Sequence, residues 1–293
     1  MFFIGNKSPE SQRDVSTDYP FLALPVKQQV QQLSNAINEK QFVIYLQPKI
    51  NLSNWKIQGA EILLRWLHPE FGLLLPEQFF APLEQSGLLE KIGAWQVRKA
   101  CQLNLFWQKC SLKTLCMAIN VSCSQLMDDK FLTAIEQTIQ QTGIDPACIE
   151  LEISDGCLFD NVDEQRNVFE NIRSKGIRLA LKYSISGLPV TIDFNSLPID
   201  AINIDKELTQ QISNNRENRQ IMSTILAFAH QHSLEVIAEG VETAEQLIFL
   251  NAMHCSAAQG FLLNPPLSTE KFTELYQSGK RYNHLIDKLS RYW

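Results

Sequence analysis

From Val26 onward the chain alternates between two hydrophobic rhythms. Val26, Val30, Leu33 and Ile37 recur at helical spacing in VKQQVQQLSNAINE, which predicts a helix over 26–39. FVIYLQPKINL and KIQGAEILLRW follow, and predict a strand pair turned at Asn51 to Trp55. A helix is predicted from Pro76, with proline in a first-turn position, and another near 92–109. Strand and helix then alternate. CMAINVS (116–122) precedes a helix from Asp128 to Thr142, and IELEIS (149–154) precedes one from Glu164 to Lys175. RLALKYS (178–184) and AINID (201–205) precede a helix from Ser213 to His232. EVIAEGV (235–241) precedes a helix from Ala244 to Met253, and AAQGF (257–261) closes the series. A last helix begins near Ser268, whose hydroxyl can cap it.

About eight strands, mostly separated by helices, predict an α/β fold of the (β/α)8 TIM-barrel type. The opening strand pair is irregular for that fold, because strands joined by a tight turn must be antiparallel. Residues 1–24 are polar with scattered Pro and Ser and read as an arm or linker. Residues 25–278 form the barrel domain, and 279–293, GKRYNHLIDKLSRYW, read as a helical, amphipathic extension.

Composition narrows the function. A hydrophobic content of 45% and a charged content of 20% are globular values. A net charge of −6 argues against a general nucleic-acid binder, but a locally basic pocket could still take a small anion. No stretch approaches the length of a membrane span, and the N-terminus lacks the pattern of a signal peptide. The seven cysteines are scattered, odd in number and without a CxxC pair. Neither a zinc site nor a disulfide framework is expected, and a reducing compartment, the cytoplasm, is.

In such a barrel the chemistry sits at the C-terminal ends of the parallel strands. Glu61, Asn120, Glu152 and Glu239 are oxygen donors embedded in apolar strands at those ends. Any one of them is more often a salt-bridged residue of the barrel mouth. Four at successive strand ends are the ligand set of Mg²⁺ or Mn²⁺.

GAEILLRWLHP, AINVS, LEIS, IDKEL, AEGVET and QG, in this order, resemble the EAL domain over about residues 40–276. That resemblance implies an eight-stranded barrel whose first strand runs antiparallel. It also implies hydrolysis of cyclic di-GMP to linear pGpG, with two divalent ions activating a water for in-line attack. Glu61, Asn120, Glu152 and Glu239 match the family's metal ligands, with EIL in place of EAL. Gln47, Leu63 and Arg65 match positions that hold the nucleotide. Gln259 matches the glutamine before the last glycine, Glu242 the structural glutamate, and Asp205 the aspartate of LKID.

The departures are concentrated. The family's DDFGTG is here KYSISG, so Lys182 and Tyr183 stand where two metal-binding aspartates would be. LKID is here INID, so Asn203 replaces the lysine that orients the attacking water. Pro189 lies in the segment corresponding to the family's mobile loop and should stiffen it. Exchanging two anions for one cation moves the pocket by three charge units where charge is weakly screened. The resemblance therefore implies a catalytically inactive member with a metal-free site. In that site Lys182 either neutralises the glutamates as an internal counter-cation or points to solvent and leaves the pocket to water. Two functions follow: a metal-independent cyclic di-GMP receptor, or a protein-interaction module that has lost the nucleotide. A residual phosphodiesterase is the third. A protein partner is expected in either of the first two, and a homodimer is common in the family. For Tyr183 the simpler expectation is a ring packed in the core.

Overall fold

The period-two segments pair into one sheet that closes on itself. The computed structural model describes residues 19–154, 157, 162–184, 197–282 and 285. Residues 185–187 of the predicted loop SISG, Pro189 and most of the C-terminal extension beyond Tyr282 lie outside them. The strands are β1 (Phe42–Asn51), β2 (Ile57–His68), β3 (Gly72–Leu74), β4 (Cys116–Val121) and β5 (Ile149–Ser154). They continue as β6 (Arg178–Tyr183), β7 (Ala201–Ile204), β8 (Glu235–Ala238), β9 (Ala257–Ala258) and β10 (Leu267–Ser268). The sheet runs β10-β1-β9-β8-β7-β6-β5-β4-β2-β3, and an added β1–β2 pairing closes an eight-stranded barrel. From β2 through β4 to β9 the barrel strands are parallel, while β1 runs antiparallel to β9. This is the predicted α/β barrel with its inverted first strand. The tight turn enforces the inversion: the Asn51 amide donates to the Lys56 carbonyl, and Trp55 takes a positive φ of 61°.

The chain divides into two compact units. The larger, 44–63 with 90–293, contains the closed part of the barrel and the main core. Inside it the small Ala180, Ala201 and Ala257 cluster with Ile237. Small side chains there leave room for long polar ones on the same strand faces. The helices are α1 (Val26–Asn38), α2 (Phe80–Gln85), α3 (Leu89–Lys109), α4 (Cys123–Leu126) and α5 (Asp129–Thr142). They continue as α6 (Val162–Ser174), α7 (Lys206–Gln211), α8 (Arg216–Gln231), α9 (Ala244–Ala252) and α10 (Thr269–Gln277). Their starts follow side-chain chemistry. Asp128, Asn215, Thr243 and Ser268 each accept a backbone N–H of the first turn. Gly143 ends α5 in the left-handed region.

The smaller unit comprises residues up to Val43 and 64–89. Phe21 is fully buried there, edge-on to Trp66 at 4.9 Å, although it falls in the stretch read as an arm. The Gln29 amide clamps that turn by donating to the carbonyls of Leu22 and Leu24.

Some expectations need correction. The helix from Pro76 is a 3₁₀ turn (Pro76–Gln78) followed by α2, because Phe79 leaves the helical region at φ −142°. The helix expected from Ser213 starts at Arg216, behind the separate α7, which is too short to show an apolar period. The expectation of unpaired cysteines fails at one place: Cys123 and Cys157 are disulfide-bonded, with Cα atoms 5.5 Å apart. Their separation of 34 residues hides this, because the contact depends on β4 lying beside β5. The other five cysteines are free. Among the described residues no helix is long and apolar enough to cross a membrane.

Candidate functional site

Registration of the parallel strands brings the polar residues together. Asn120 of β4 lies opposite Glu152 of β5, and Lys182 of β6 lies opposite Asn203 of β7. Glu61, Glu152 and Glu239 each bring a carboxylate oxygen within 4.8 Å of the others, a geometry that could hold a metal ion. All three are buried. Glu239 follows β8 and precedes Gly240, which turns the chain at φ 70°. A Cβ on Gly240 would meet the Lys206 Cβ at 2.3 Å, so glycine is needed both for the turn and for the approach.

Each carboxylate has partners. Asn120 Nδ2 donates to Glu61 Oε1 at 2.7 Å, and Gln259 Nε2 donates to Glu61 Oε2. Asn203 Nδ2 donates to Glu152 Oε1 at 2.6 Å. The Lys182 ammonium lies 2.6 Å from Glu239 Oε2 and 3.8 Å from Asp205 Oδ2. Gln259 Nε2 also reaches Gln47 Oε1 at 3.0 Å, and Gln47 Nε2 donates to the Asn264 carbonyl at 3.1 Å. Among the described residues, Glu152 Oε2, Asn203 Oδ1 and Gln259 Oε1 are buried acceptors without a hydrogen-bond partner.

Other predicted site residues are placed differently. Asp205 caps α7, accepting the Glu207 amide at 2.8 Å. Tyr183 is buried in the main core, as expected of a packed ring. Leu63 is half-buried. Glu242 accepts from Gln210 Nε2 at 2.9 Å, outside the carboxylate cluster. Arg65 belongs to the smaller unit, where it is buried and donates to the Leu64 carbonyl at 2.8 Å.

Sequence reasoning missed Lys49. Its ammonium lies 2.6 Å from Glu152 Oε1 and 2.8 Å from Glu150 Oε1, and its side chain is only 4% exposed. Glu150 continues to Arg178 at 3.2 Å, and Arg178 to Glu235. A chain of alternating charges therefore runs from Glu235 to the carboxylate cluster. The signal was present: Gln47 and Lys49 share one face of β1, as Glu150 and Glu152 share one face of β5.

Burial dominates the electrostatics, and the charges then decide its direction. Burial alone would lower Lys49, but Glu150 and Glu152 outweigh it and hold the ammonium well above the ordinary lysine range. Burial likewise opposes Lys182, and Glu239 and Glu61 overcome it in the same direction. Burial raises the Glu239 carboxyl, Lys182 lowers it, and Glu61 and Glu152 raise it again, leaving it at about 8. Burial, with Glu61 and Glu150, also raises Glu152 against the pull of Lys49.

The Glu239 shift has a defined consequence for stability. The folded state binds this proton more tightly than the unfolded chain, so Glu239 erodes stability as pH rises from about 4.5 to about 8. Its contribution to the slope approaches about 1.4 kcal/mol per pH unit. Glu239→Gln is expected to flatten urea-derived stability against pH over this window. Parallel profiles for the variant and the parent chain would refute a buried, proton-binding Glu239.

The EAL domain family matches residues 30–266. The cyclic di-GMP phosphodiesterase NbdA of Pseudomonas aeruginosa is 29% identical over 253 residues, covering 85% of this chain and 32% of that protein. The cyclic di-GMP phosphodiesterase PdeR of Escherichia coli K12 is 31% identical over 252 residues, covering 85% of this chain and 37% of that protein. The chain thus spans about a third of the length of these relatives. A solved structure described as the PaMucR phosphodiesterase in complex with c-di-GMP aligns with a TM-score of 0.79 and 28% identity, covering 84% of this chain and 99% of that one. The matched segment takes in every strand of the closed barrel and all three clustered glutamates. This chain belongs to the EAL domain family.

Proposed function

We propose that this chain is a catalytically inactive EAL domain that binds cyclic di-GMP without metal and acts as its receptor. The observation that carries this reading is the Lys182 ammonium, 2.6 Å from Glu239 within the carboxylate cluster. Divalent ions in such a site would supply an activated water and stabilise charge at phosphorus. The residues present do not fit a pair of them. Of the three clustered carboxyl groups, Glu239 keeps its proton up to about pH 8, and Lys49 and Lys182 already bring two positive charges to the cluster. A dication brought beside an ammonium is repelled, and the low dielectric of a buried site magnifies that repulsion. Lys182 and Tyr183 also stand where two aspartates would add anionic ligands. Asn203, the replacement for the water-orienting lysine, is fully buried and its amide is spent on Glu152.

The nucleotide part of the reading draws on the relatives, whose names specify cyclic di-GMP. It is supported by the three buried acceptors on Glu152, Asn203 and Gln259, which a ligand with N–H groups or its ordered waters would satisfy. A second reading has its own observation. Both polar atoms of Gln47 are engaged within the protein, and Arg65 donates to its own strand. Residues that would grip a nucleotide are then occupied, as in a protein-interaction module that has lost its ligand. In either role we place the chain in the cytoplasm, acting through a protein partner, and a homodimer is compatible with both.

Titration calorimetry with cyclic di-GMP, first in EDTA and then in Mg²⁺, separates these functions. The expected result is micromolar binding, unchanged by metal, with no pGpG formed. Absence of binding in both buffers would transfer the assignment to the interaction module. Formation of pGpG would overturn both.

A further inference from the structure

The disulfide sits at a consequential place. β4 ends at Val121, Ser122 caps the short α4, and Cys123 is its first residue. β5 ends at Ser154, whose hydroxyl lies 3.7 Å from the Cys157 sulfur. Asn120 and Glu152, paired in register on these two strands, are in the carboxylate cluster. The bridge therefore ties together the two segments that leave the strand ends, three residues beyond Asn120 and five beyond Glu152.

The remaining cysteines give the bond its chemical setting. Five of seven are unpaired, which is the usage of a reducing compartment, where an isolated disulfide is transient or redox-sensing. Cys101, Cys148 and Cys255 are buried thiols, each pushed up by burial and so poor nucleophiles. Cys123 is half-buried and can be reached, while Cys157 is only 3% exposed.

We propose that Cys123 and Cys157 form a reversible thiol–disulfide modification site, exchanging with low-molecular-weight disulfides of the glutathione class. In oxidation, the Cys123 thiolate attacks one sulfur of the small disulfide, forms a mixed disulfide and expels one small thiolate. The Cys157 thiolate then attacks the Cys123 sulfur, closes the internal bond and expels the second. The protein loses two electrons and two protons, and the small disulfide is reduced to two thiols. Excess small thiol reverses both steps, attacking first at Cys123 because Cys157 is shielded. Closure joins the segments behind Asn120 and Glu152, and opening releases them.

The full chain, equilibrated in glutathione buffers of graded ratio, tests this. The samples are quenched in acid, unfolded in denaturant with excess alkylating agent so that buried thiols also react, and the peptides are mapped by mass. Seven alkylated cysteines are expected under reducing conditions and five under oxidising ones, the missing pair being Cys123 and Cys157, with the transition reversible. Amide exchange at residues 120–123, 152–154 and 157 should slow about tenfold or more in the oxidised form. Cys123→Ser should show six alkylated cysteines in both buffers. Seven thiols in every buffer, a bond that resists all reductant, or equal exchange in both forms would overturn the proposal. None of these readouts contains the nucleotide, so failure of the receptor assignment leaves them unchanged.

Discussion

Lys49→Met is expected to cost the chain about 3–5 kcal/mol in urea unfolding, the range for removing one partner of a buried ion pair. Lys49 is buried between Glu150 and Glu152, at 2.8 and 2.6 Å. Without it, two carboxylates remain inside the barrel, and only Glu150 keeps a cation, Arg178. The loss should depend on pH, with a definite sign. Removing the ammonium raises both carboxyl groups in the folded state, and a raised carboxyl erodes stability as pH climbs above its unfolded value. The deficit is therefore expected to be smaller at pH 5 than at pH 8. Adding Glu150→Gln and Glu152→Gln to Lys49→Met should recover part of it, because charges are then no longer stranded. A loss under about 1 kcal/mol, independent of pH, would show that water or other groups already compensate these carboxylates.

Lys182→Met is expected to act more on ligand selectivity than on stability. Its side chain is 27% exposed, so solvent screens part of its pairing with Glu239, and the cost should be about 2 kcal/mol. The larger effect concerns metal. Millimolar Mn²⁺ should leave the melting temperature of the parent chain unchanged and raise that of Lys182→Met by several degrees, since an anionic cluster then lacks its internal cation. Replacing Lys182 and Tyr183 together by Asp should strengthen metal binding further. That double variant should still fail to hydrolyse cyclic di-GMP, because Asn203 remains buried and bonded to Glu152. Stabilisation of the parent chain by Mn²⁺, or full hydrolysis by the double variant, would remove Lys182 from the centre of the functional assignment.

Periodicity made the barrel legible because one rule governs each element. Strands such as IELEIS and AINID alternate by two, their helices recur near four, and caps such as Asp128, Asn215 and Ser268 mark the starts. Short elements escaped. β3, β10 and α7 contain too few residues to show a period, and hydrogen bonds to neighbours define them. Glu61, Asn120, Glu152 and Glu239 were recognisable as candidates because oxygen donors are rare in apolar strands. Residue spacing along β2 does not report which groups the Arg65 guanidinium reaches, and its hydrogen bond to the Leu64 carbonyl was legible only in the structure. Lys49 escaped for the opposite reason: in LQPKI it looks like an ordinary lysine, and nothing local marks it as buried.

The sequence by itself determined the family, the barrel, the inverted first strand and the presence of Lys182 and Tyr183 at the end of β6. These are properties of order, spacing and residue type along one chain. The tertiary structure alone decided which charges meet. Lys49 reaches Glu152 across 103 residues, Lys182 reaches Glu239 across 57, and Cys123 meets Cys157 across 34. Each pairing is set by strand register around a closed barrel, which places distant residues within bonding distance and, at Lys49, excludes the water that would otherwise screen them.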